Sequence, residues 1–404
     1  MGTMTGVRVL EVAAWTYVPA AGAVLAEWGA DVIKIEHPET GDPQRGLVNS
    51  GLVPTGPGGV NHLIELPNRG KRSVGLDLKS EAGRDVLLQL AATSDVFLTN
   101  MRPDAIRSLR LDVEDLRAAN PAIIYARGSG QGVQGPEANK GGFDGSHFWG
   151  RATAGLFAAP EGQYPPSQPG PGWGDLQGGL TIAGGISAAL FQRERTGTPS
   201  VVDNSLLANG MWAGSATIMA SDLFGMDQMP AMVRGAIPNP LVGYYRCGDG
   251  RFLILMMLQA DRWWPDLAQR IGHPELLEDP RFVDGRARAE HKEECVAVLD
   301  EIFATRPLAE WREALADADG VWAAVQTPGE LLTDPQAHAN GYLRPVETSA
   351  GSSFTMVPSP LQFDETPPDL TRAPDHGEHT DEVLAELGIN GERLMELKIS
   401  GAVL

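Results

Sequence analysis

Val7-Arg-Val-Leu-Glu-Val12, a loop, an apolar stretch from Pro19 to Trp28, then Gly29 and Asp31-Val-Ile-Lys-Ile-Glu36: this passage decides the fold. The outer runs are short, apolar and rich in β-branched residues, as buried strands are, while the middle stretch is long enough for a helix and stops at a glycine suited to a C-cap. Strand, turn, helix and strand follow with very short connections. The pattern then repeats: Ser73 to Leu78 reads as a strand, Ser80 as an N-cap, Glu81 to Ala92 as a helix and Asp95 to Thr99 as the next strand. Two short helices, Asp104 to Leu109 and Val113 to Asn120, precede a strand from Ala122 to Ala126. Such alternation predicts an α/β fold with a Rossmann-like, mainly parallel sheet that binds ligands beyond the carboxyl ends of its strands.

Downstream the texture changes. Gly128 to Gly174 is dense in Gly, Pro and Gln without sustained periodicity and reads as surface loops with short structured pieces, a length that usually carries function. A long helix is predicted from about Gln177 to Arg195, ending at Gly197, and another near Asp203; Met226 to Pro240 reads as a linker. Beyond Asn239, Tyr244 to Cys247 and Arg251 to Met256 flank Gly248-Asp-Gly250 as a hairpin, followed by helices such as Asp261 to Ile271 and Arg286 to Phe303. A Pro-rich passage, Val357 to Pro374, leads to a helical tail opened by Thr380. The predicted organisation is a large domain over 1–225, a smaller α+β domain over 226–330, and a linker with C-terminal helices over 331–404 that return to the large domain.

Composition bounds the function. Among 404 residues, 42% are hydrophobic, enough for a sizeable core, and 52 Asp and Glu against 32 Lys and Arg leave a net charge of −20. That balance disfavours nucleic acid or an anionic membrane as bulk partner and requires a local basic patch for any anionic ligand. Cys247 and Cys295 lie in unrelated contexts, which suits a reduced, cytoplasmic setting. The longest apolar run, Phe252 to Leu258, is far too short to span a membrane. The eight histidines show no metal-ligand spacing, so no metal is expected, and GxSxG, HExxH and P-loop patterns do not occur. Where a dinucleotide-binding protein carries GxGxxG, this chain has Ala13-Ala-Trp-Thr-Tyr-Val-Pro19, which argues against a nicotinamide dehydrogenase.

A set of ordered segments resembles one family, the class III CoA-transferases, which include formyl-CoA, carnitine and bile-acid CoA-transferases and the related alpha-methylacyl-CoA racemases. The segments are Gly6 to Val12, Gly29-Ala-Asp-Val-Ile-Lys-Ile-Glu-His-Pro38 with Gly41-Asp42, Asn68 to Lys79, and Asp95-Val-Phe-Leu-Thr-Asn-Met-Arg-Pro103. They continue with Gly142-Phe-Asp144, Gly174-Asp175, Asn239-Pro240 before Tyr244-Tyr-Arg246, Asp279-Pro-Arg-Phe282, and Gly377 to Leu384. Each is a modest signal; their order over nearly the whole chain is specific.

The resemblance implies an interlocked homodimer and transfer of CoA from an acyl-CoA to a carboxylic acid, with the CoA thioester as substrate and no prosthetic group. It implies Asp175 as nucleophile and as carrier of an aspartyl-CoA thioester. Read physically, a carboxylate at a helix N-terminus is stabilised as the anion by free backbone N–H groups, and flanking glycines admit a bulky thioester; the plain alternative is an N-cap. By the same resemblance Thr16, Tyr17, His37, Arg72, Leu76, Lys79, Asn100, Met101 and Arg102 are expected to bind CoA. At Thr16 formyl-CoA transferases carry glutamine, and their glycine tetrad loop is missing, which argues against that substrate type. Phe143, Asp144, His147, Phe148 and Trp149 are candidates for the substrate pocket, since Gly142 to Arg151 resembles a segment of relatives acting on bulky or aromatic acids. A bulky or dicarboxylic organic acid is the expected acceptor. Phe148 and Trp149 read equally as core, and Asp144 and Arg151 as an internal ion pair.

Two alternatives remain open. A racemase needs a histidine directly before Asp144 as one of its two proton carriers, and that residue is Phe143; His147, three residues beyond Asp144, reads either as a substitute or as a packed histidine. A non-catalytic acyl-CoA-binding protein would keep the basic corner and tolerate loss of the Asp175 carboxylate.

Overall fold

The computed structural model describes residues 2–51, 53–157, 164–228 and 237–404. Part of the predicted linker, 229–236, lies outside the described residues. The chain divides into two compact units, Met1–Met229 with His338–Leu404, and Pro230–Ala337.

In the first unit the strands β1 (Arg8–Val12), β2 (Asp31–Glu36), β3 (Arg72–Gly75), β4 (Val96–Thr99), β5 (Ile124–Ser129) and β6 (Val201–Ser205) form a sheet in the order β3-β2-β1-β4-β5-β6. All of its pairings are parallel. The direction of winding reverses between β1 and β4, and that reversal leaves a crevice at their carboxyl ends. Successive side chains along a strand face opposite sides. Leu10, Ile33, Val74, Phe97 and Tyr125 pack with the helix Glu81–Ala92 and with Val383, Leu384 and Leu397 of the C-terminal segment. On the other face Val9, Val32, Val96, Leu98, Ile124 and Ala126 meet the helices α1 (Tyr17–Glu27) and α2 (Trp173–Thr196). Burial on both faces is why these strands read as apolar runs. The C-terminal segment closes on the sheet where Leu76 bridges Val403 and where Arg8 and Arg72 pair with Glu386.

Helices α1 and α2 approach closely because small residues line their contact. A Cβ on Gly179 would stand 2.6 Å from the Ala20 Cβ and 3.0 Å from the Ala21 nitrogen. Two sequence expectations are corrected here. The helix predicted near Asp203 is instead the edge strand β6, in which Val201 and Val202 suit a half-exposed sheet edge, and the helix Leu206–Ala213 follows once the Ser205 hydroxyl accepts from the Ala208 N–H. Helix α2 begins at Trp173, before the predicted Gln177, so Asp175 lies inside its first turn. The stretch read as loops contains a wide, π-type helical segment, Gly145–Thr153.

In the second unit β7 (Val242–Arg246), β8 (Phe252–Met256) and β9 (Trp322–Ala324) make an antiparallel sheet. Its core includes Trp264, Phe282, Phe303 and Trp311. Among the described residues no helix is long and apolar enough to cross a membrane.

Candidate active site

A cavity of about 620 Å³ opens at the carboxyl ends of β1, β4 and β5. Of the residues singled out in the sequence, Tyr17, Asn100, Met101, Arg102, Phe143 and Asp175 line it together. Trp15, Arg127 and Lys140 line it as well and were not anticipated. The rule that ligands sit beyond strand ends pointed to Arg127, directly after the predicted strand; nothing in the local pattern marks Trp15 or Lys140.

The loop after β1 is held rigidly. Trp15 adopts φ of 69°, a left-handed conformation that is unfavourable for a bulky residue and persists only where its surroundings impose it. Asn100 clamps the neighbouring peptide, its Oδ1 accepting from Ala14 N at 3.1 Å and its Nδ2 donating to Ala14 O. The Trp15 N–H donates to Asp42 Oδ1 and the Ala13 carbonyl accepts from Lys34 Nζ. Lys34 pairs in turn with Glu11 and Asp42, and Lys71 with Glu11, all buried. Asn100 therefore shapes the cavity wall with its amide already engaged. Thr16 bonds Gln44 through its hydroxyl at 3.1 Å and places its methyl where it would meet a side chain on Gly172.

The entrance of α2 carries two carboxylates with different environments. Asp144 is the one that takes the helix N–H groups: its Oδ1 accepts from Gly174 N at 3.0 Å, and Gln168 Nε2 donates to Oδ2. Burial raises the Asp144 pKa while these bonds, with those from the Trp173 and Gly172 backbone, oppose the rise. Asp175 receives no such help. Burial, and then the negative charge of Asp144, raise its pKa from 3.8 to about 7. This overturns the expectation that free helix N–H groups hold Asp175 as an anion. The glycine at 174 also has a different use: a Cβ there would stand 2.2 Å from the Phe148 ring, so its bare backbone makes room for that ring and not for a ligand.

Phe148 is accordingly buried in the core against α2. Trp149 donates from Nε1 to Pro166 O at 2.8 Å and stacks on Phe157. His147 shares a 2.9 Å contact with Ser146 Oγ, and burial followed by the Arg151 charge lowers its pKa. None of these three lines the cavity. Arg151 pairs with Glu137, not with Asp144. Phe143, in contrast, is exposed and meets Trp15 edge to face, with ring centroids 5.6 Å apart, and both residues line the cavity.

The cationic rim is narrower than the sequence suggested. Arg102 is exposed and has no ion-pair partner among the described residues. His37 follows β2, and its Nδ1 accepts from the Glu39 and Thr40 N–H groups. Leu76 is buried beyond β3 and Lys79 is exposed after it; neither lines the cavity. Arg72 is a correction. It opens β3 at the amino edge of the sheet, opposite the cavity, and its guanidinium is taken up by Asp31 and Glu386.

The model of CoA-transferase family III matches residues 4–380. The chain belongs to that family. This CoA-transferase is 31% identical over 401 residues to the (R)-2-hydroxy-4-methylpentanoate CoA-transferase of Clostridioides difficile, covering 99% of each chain. It is 32% identical to the cinnamoyl-CoA:phenyllactate CoA-transferase of Clostridium sporogenes, over 98% of this chain and 95% of the other. Among solved structures, a CAIB/BAIF family protein from Brucella suis superposes with a TM-score of 0.81 at 28% identity, over 96% of this chain and 99% of that one. CoA thioesters are the substrates of such transferases, and the parallel sheet with its strand-end cavity is the Rossmann-like architecture expected from the sequence.

Proposed function

We propose that this CoA-transferase moves CoA from an acyl-CoA to a bulky, largely apolar carboxylic acid through a thioester formed on Asp175. The observation that carries the reading is the half-buried carboxylate of Asp175 facing a strand-end cavity whose rim holds Arg102, which has no ion-pair partner among the described residues. In the first step an Asp175 oxygen attacks the thioester carbonyl, the C–S bond breaks, and sulfur leaves as CoA thiolate, giving a mixed anhydride. The thiolate then attacks the Asp175 carbonyl and expels the donor carboxylate, leaving CoA on the aspartate. An acceptor carboxylate reverses these two steps with a new acyl group. No proton is transferred along the way, so the protein's task is to orient the groups and to stabilise oxyanions.

Arg102 suits the CoA phosphates, and Trp15 with Phe143 suits a large apolar acyl group. The two relatives named for 2-hydroxy-4-methylpentanoate and phenyllactate favour a branched or aromatic acid over a dicarboxylic one. A homodimer is part of this proposal: Trp212, Leu223 and Phe224, with exposures of 82%, 72% and 69%, leave an apolar surface on consecutive helices. The test is mass spectrometry after incubation with a panel of acyl-CoA donors. A CoA adduct on the peptide carrying Asp175, absent from Asp175→Asn, is expected; an adduct elsewhere sinks the assignment. Solvent deuterium entering the alpha carbon of a 2-methylacyl-CoA without CoA exchange would instead favour racemisation.

A further inference from the structure

We propose that the Tyr17 hydroxyl is a second working group of this site, donating a hydrogen bond to the Asp175 side-chain oxygen when CoA attacks the acylated aspartate; the inference rests on the reading of Asp175 as the CoA carrier.

Tyr17 is the first residue of α1, its side chain is buried, and it lines the same cavity as Asp175. Two glycines fix its ring. A Cβ on Gly178 would stand 2.3 Å from Tyr17 Cε2, and a Cβ on Gly128, at the end of β5, would stand 2.7 Å from Cε1. Gly178 is three residues beyond Asp175 on α2, and residues so spaced share one helix face with Cβ positions about 5–6 Å apart. The phenol is thus wedged beside the carboxylate by bare backbone on both edges.

Its hydroxyl has no hydrogen-bond partner among the described residues. Asn209 lies close enough to pull the phenol pKa down slightly, but both of its amide protons are already engaged, by Asn204 Oδ1 at 2.8 Å and Ser205 O at 2.9 Å, so it makes no well-formed bond to the hydroxyl. A buried, unpartnered hydroxyl is rare and calls for an explanation, since a phenyl ring would fill the same space without leaving a donor unmet. Burial first, and then the negative charge of Asp175, outweigh the opposing pull of Asn209 and hold the phenol proton more firmly than usual, so the group can donate but does not ionise.

That is the property the reaction asks for. When the thiolate attacks the mixed anhydride, a new S–C bond forms at the Asp175 carbonyl carbon and its oxygen carries a full negative charge. The C–O bond to the donor acyl group then breaks and the donor carboxylate departs with the electron pair. Atoms and charge balance without an acid or a base. A neutral donor that keeps its proton lowers the barrier by stabilising the transient oxyanion.

Tyr17→Phe retains the ring and both glycine contacts and removes only the hydroxyl. We expect kcat to fall roughly 10- to 100-fold, with the KM for the acyl-CoA donor unchanged and thermal stability no lower than the parent's. In a quenched time course, the CoA adduct on Asp175 should form more slowly by the same factor. Parent-like adduct formation in Tyr17→Phe, or a loss visible only in donor KM or in the melting temperature, overturns the role of the hydroxyl and leaves Asp175 as carrier. Absence of any adduct on Asp175 in the parent enzyme overturns both.

Discussion

Replacing Asp175 with Asn, the change expected to abolish transfer, should stabilise the folded protein at pH 8. The Asp175 carboxyl is raised from 3.8 to about 7 by burial and by Asp144. A carboxyl whose folded pKa lies above its unfolded one binds its proton more tightly in the native state. Below pH 3.8 both states hold the proton and nothing is lost; between 3.8 and about 7 the native state loses ground steadily; above 7 the full penalty applies. Three pH units at about 1.4 kcal/mol each set a ceiling of roughly 4 kcal/mol. Solvent reaching the open side of the cavity reduces this to on the order of 1–3 kcal/mol. Asparagine matches the shape and never carries charge. Melting both proteins without CoA at pH 5 and pH 8 tests the point: Asp175→Asn should melt higher at pH 8, and the gap should shrink to little more than a third at pH 5. A gap that is absent at pH 8, or that does not change with pH, would refute the claim that the folded enzyme carries a strained anion at this position.

Asp144→Asn keeps a capping oxygen but deletes the neighbouring charge that helps raise the Asp175 pKa to about 7, so, with Asp175 as the proposed nucleophile, the acid limb of the kcat/KM profile should move to lower pH. Asp144→Ala should do the same and also lose about 1 kcal/mol of stability by denaturant titration, because the α2 N–H groups lose their acceptor. Arg102→Gln should raise the acyl-CoA KM about tenfold by removing a charged contact, whereas Arg72→Gln should leave KM unchanged and lower the melting temperature, since that side chain serves Asp31 and Glu386. Gly178→Ala drives a methyl into the Tyr17 ring and should cost about 1–3 kcal/mol in unfolding free energy, with activity falling further than stability alone explains.

The fold was legible wherever burial writes itself into composition. Val9, Leu10, Ile33 and Phe97 are apolar because both faces of the sheet are covered, and their runs announce β1, β2 and β4. At β6 that signal fades. Val201 and Asp203 stand on an edge strand with one side open, so their alternation is weak and the neighbouring Leu206–Ala213 helix captured the reading. The start of α2 is hidden for a related reason: Gly172, at φ of 73°, and Gly174 look like loop residues, yet the first ends the preceding chain in a left-handed turn and the second is already helical. Glycine marks either a break or a close approach, and only packing against Phe148 tells which.

The same ambiguity governed the site. Asp175 stands out through the resemblance of Gly174-Asp175 to the family's Gly-Asp step, since the local pattern alone reads as an N-cap, but its electrostatic state depends on Asp144, which lies far back in the chain and reaches the entrance only through the fold. A helix N-terminus offers a limited set of unpaired N–H groups. Once Asp144 has drawn on them, Asp175 is left with burial and a like charge, the two influences that keep a carboxyl proton on. For the nucleophile proposed above that arrangement has a use: a carboxylate made uncomfortable by its surroundings gains more from bonding to an acyl carbon than one already satisfied by hydrogen bonds. Capping by one aspartate is thus what leaves the other without hydrogen-bond support, and on the proposed mechanism free to react; no reading of either residue alone could have divided those roles.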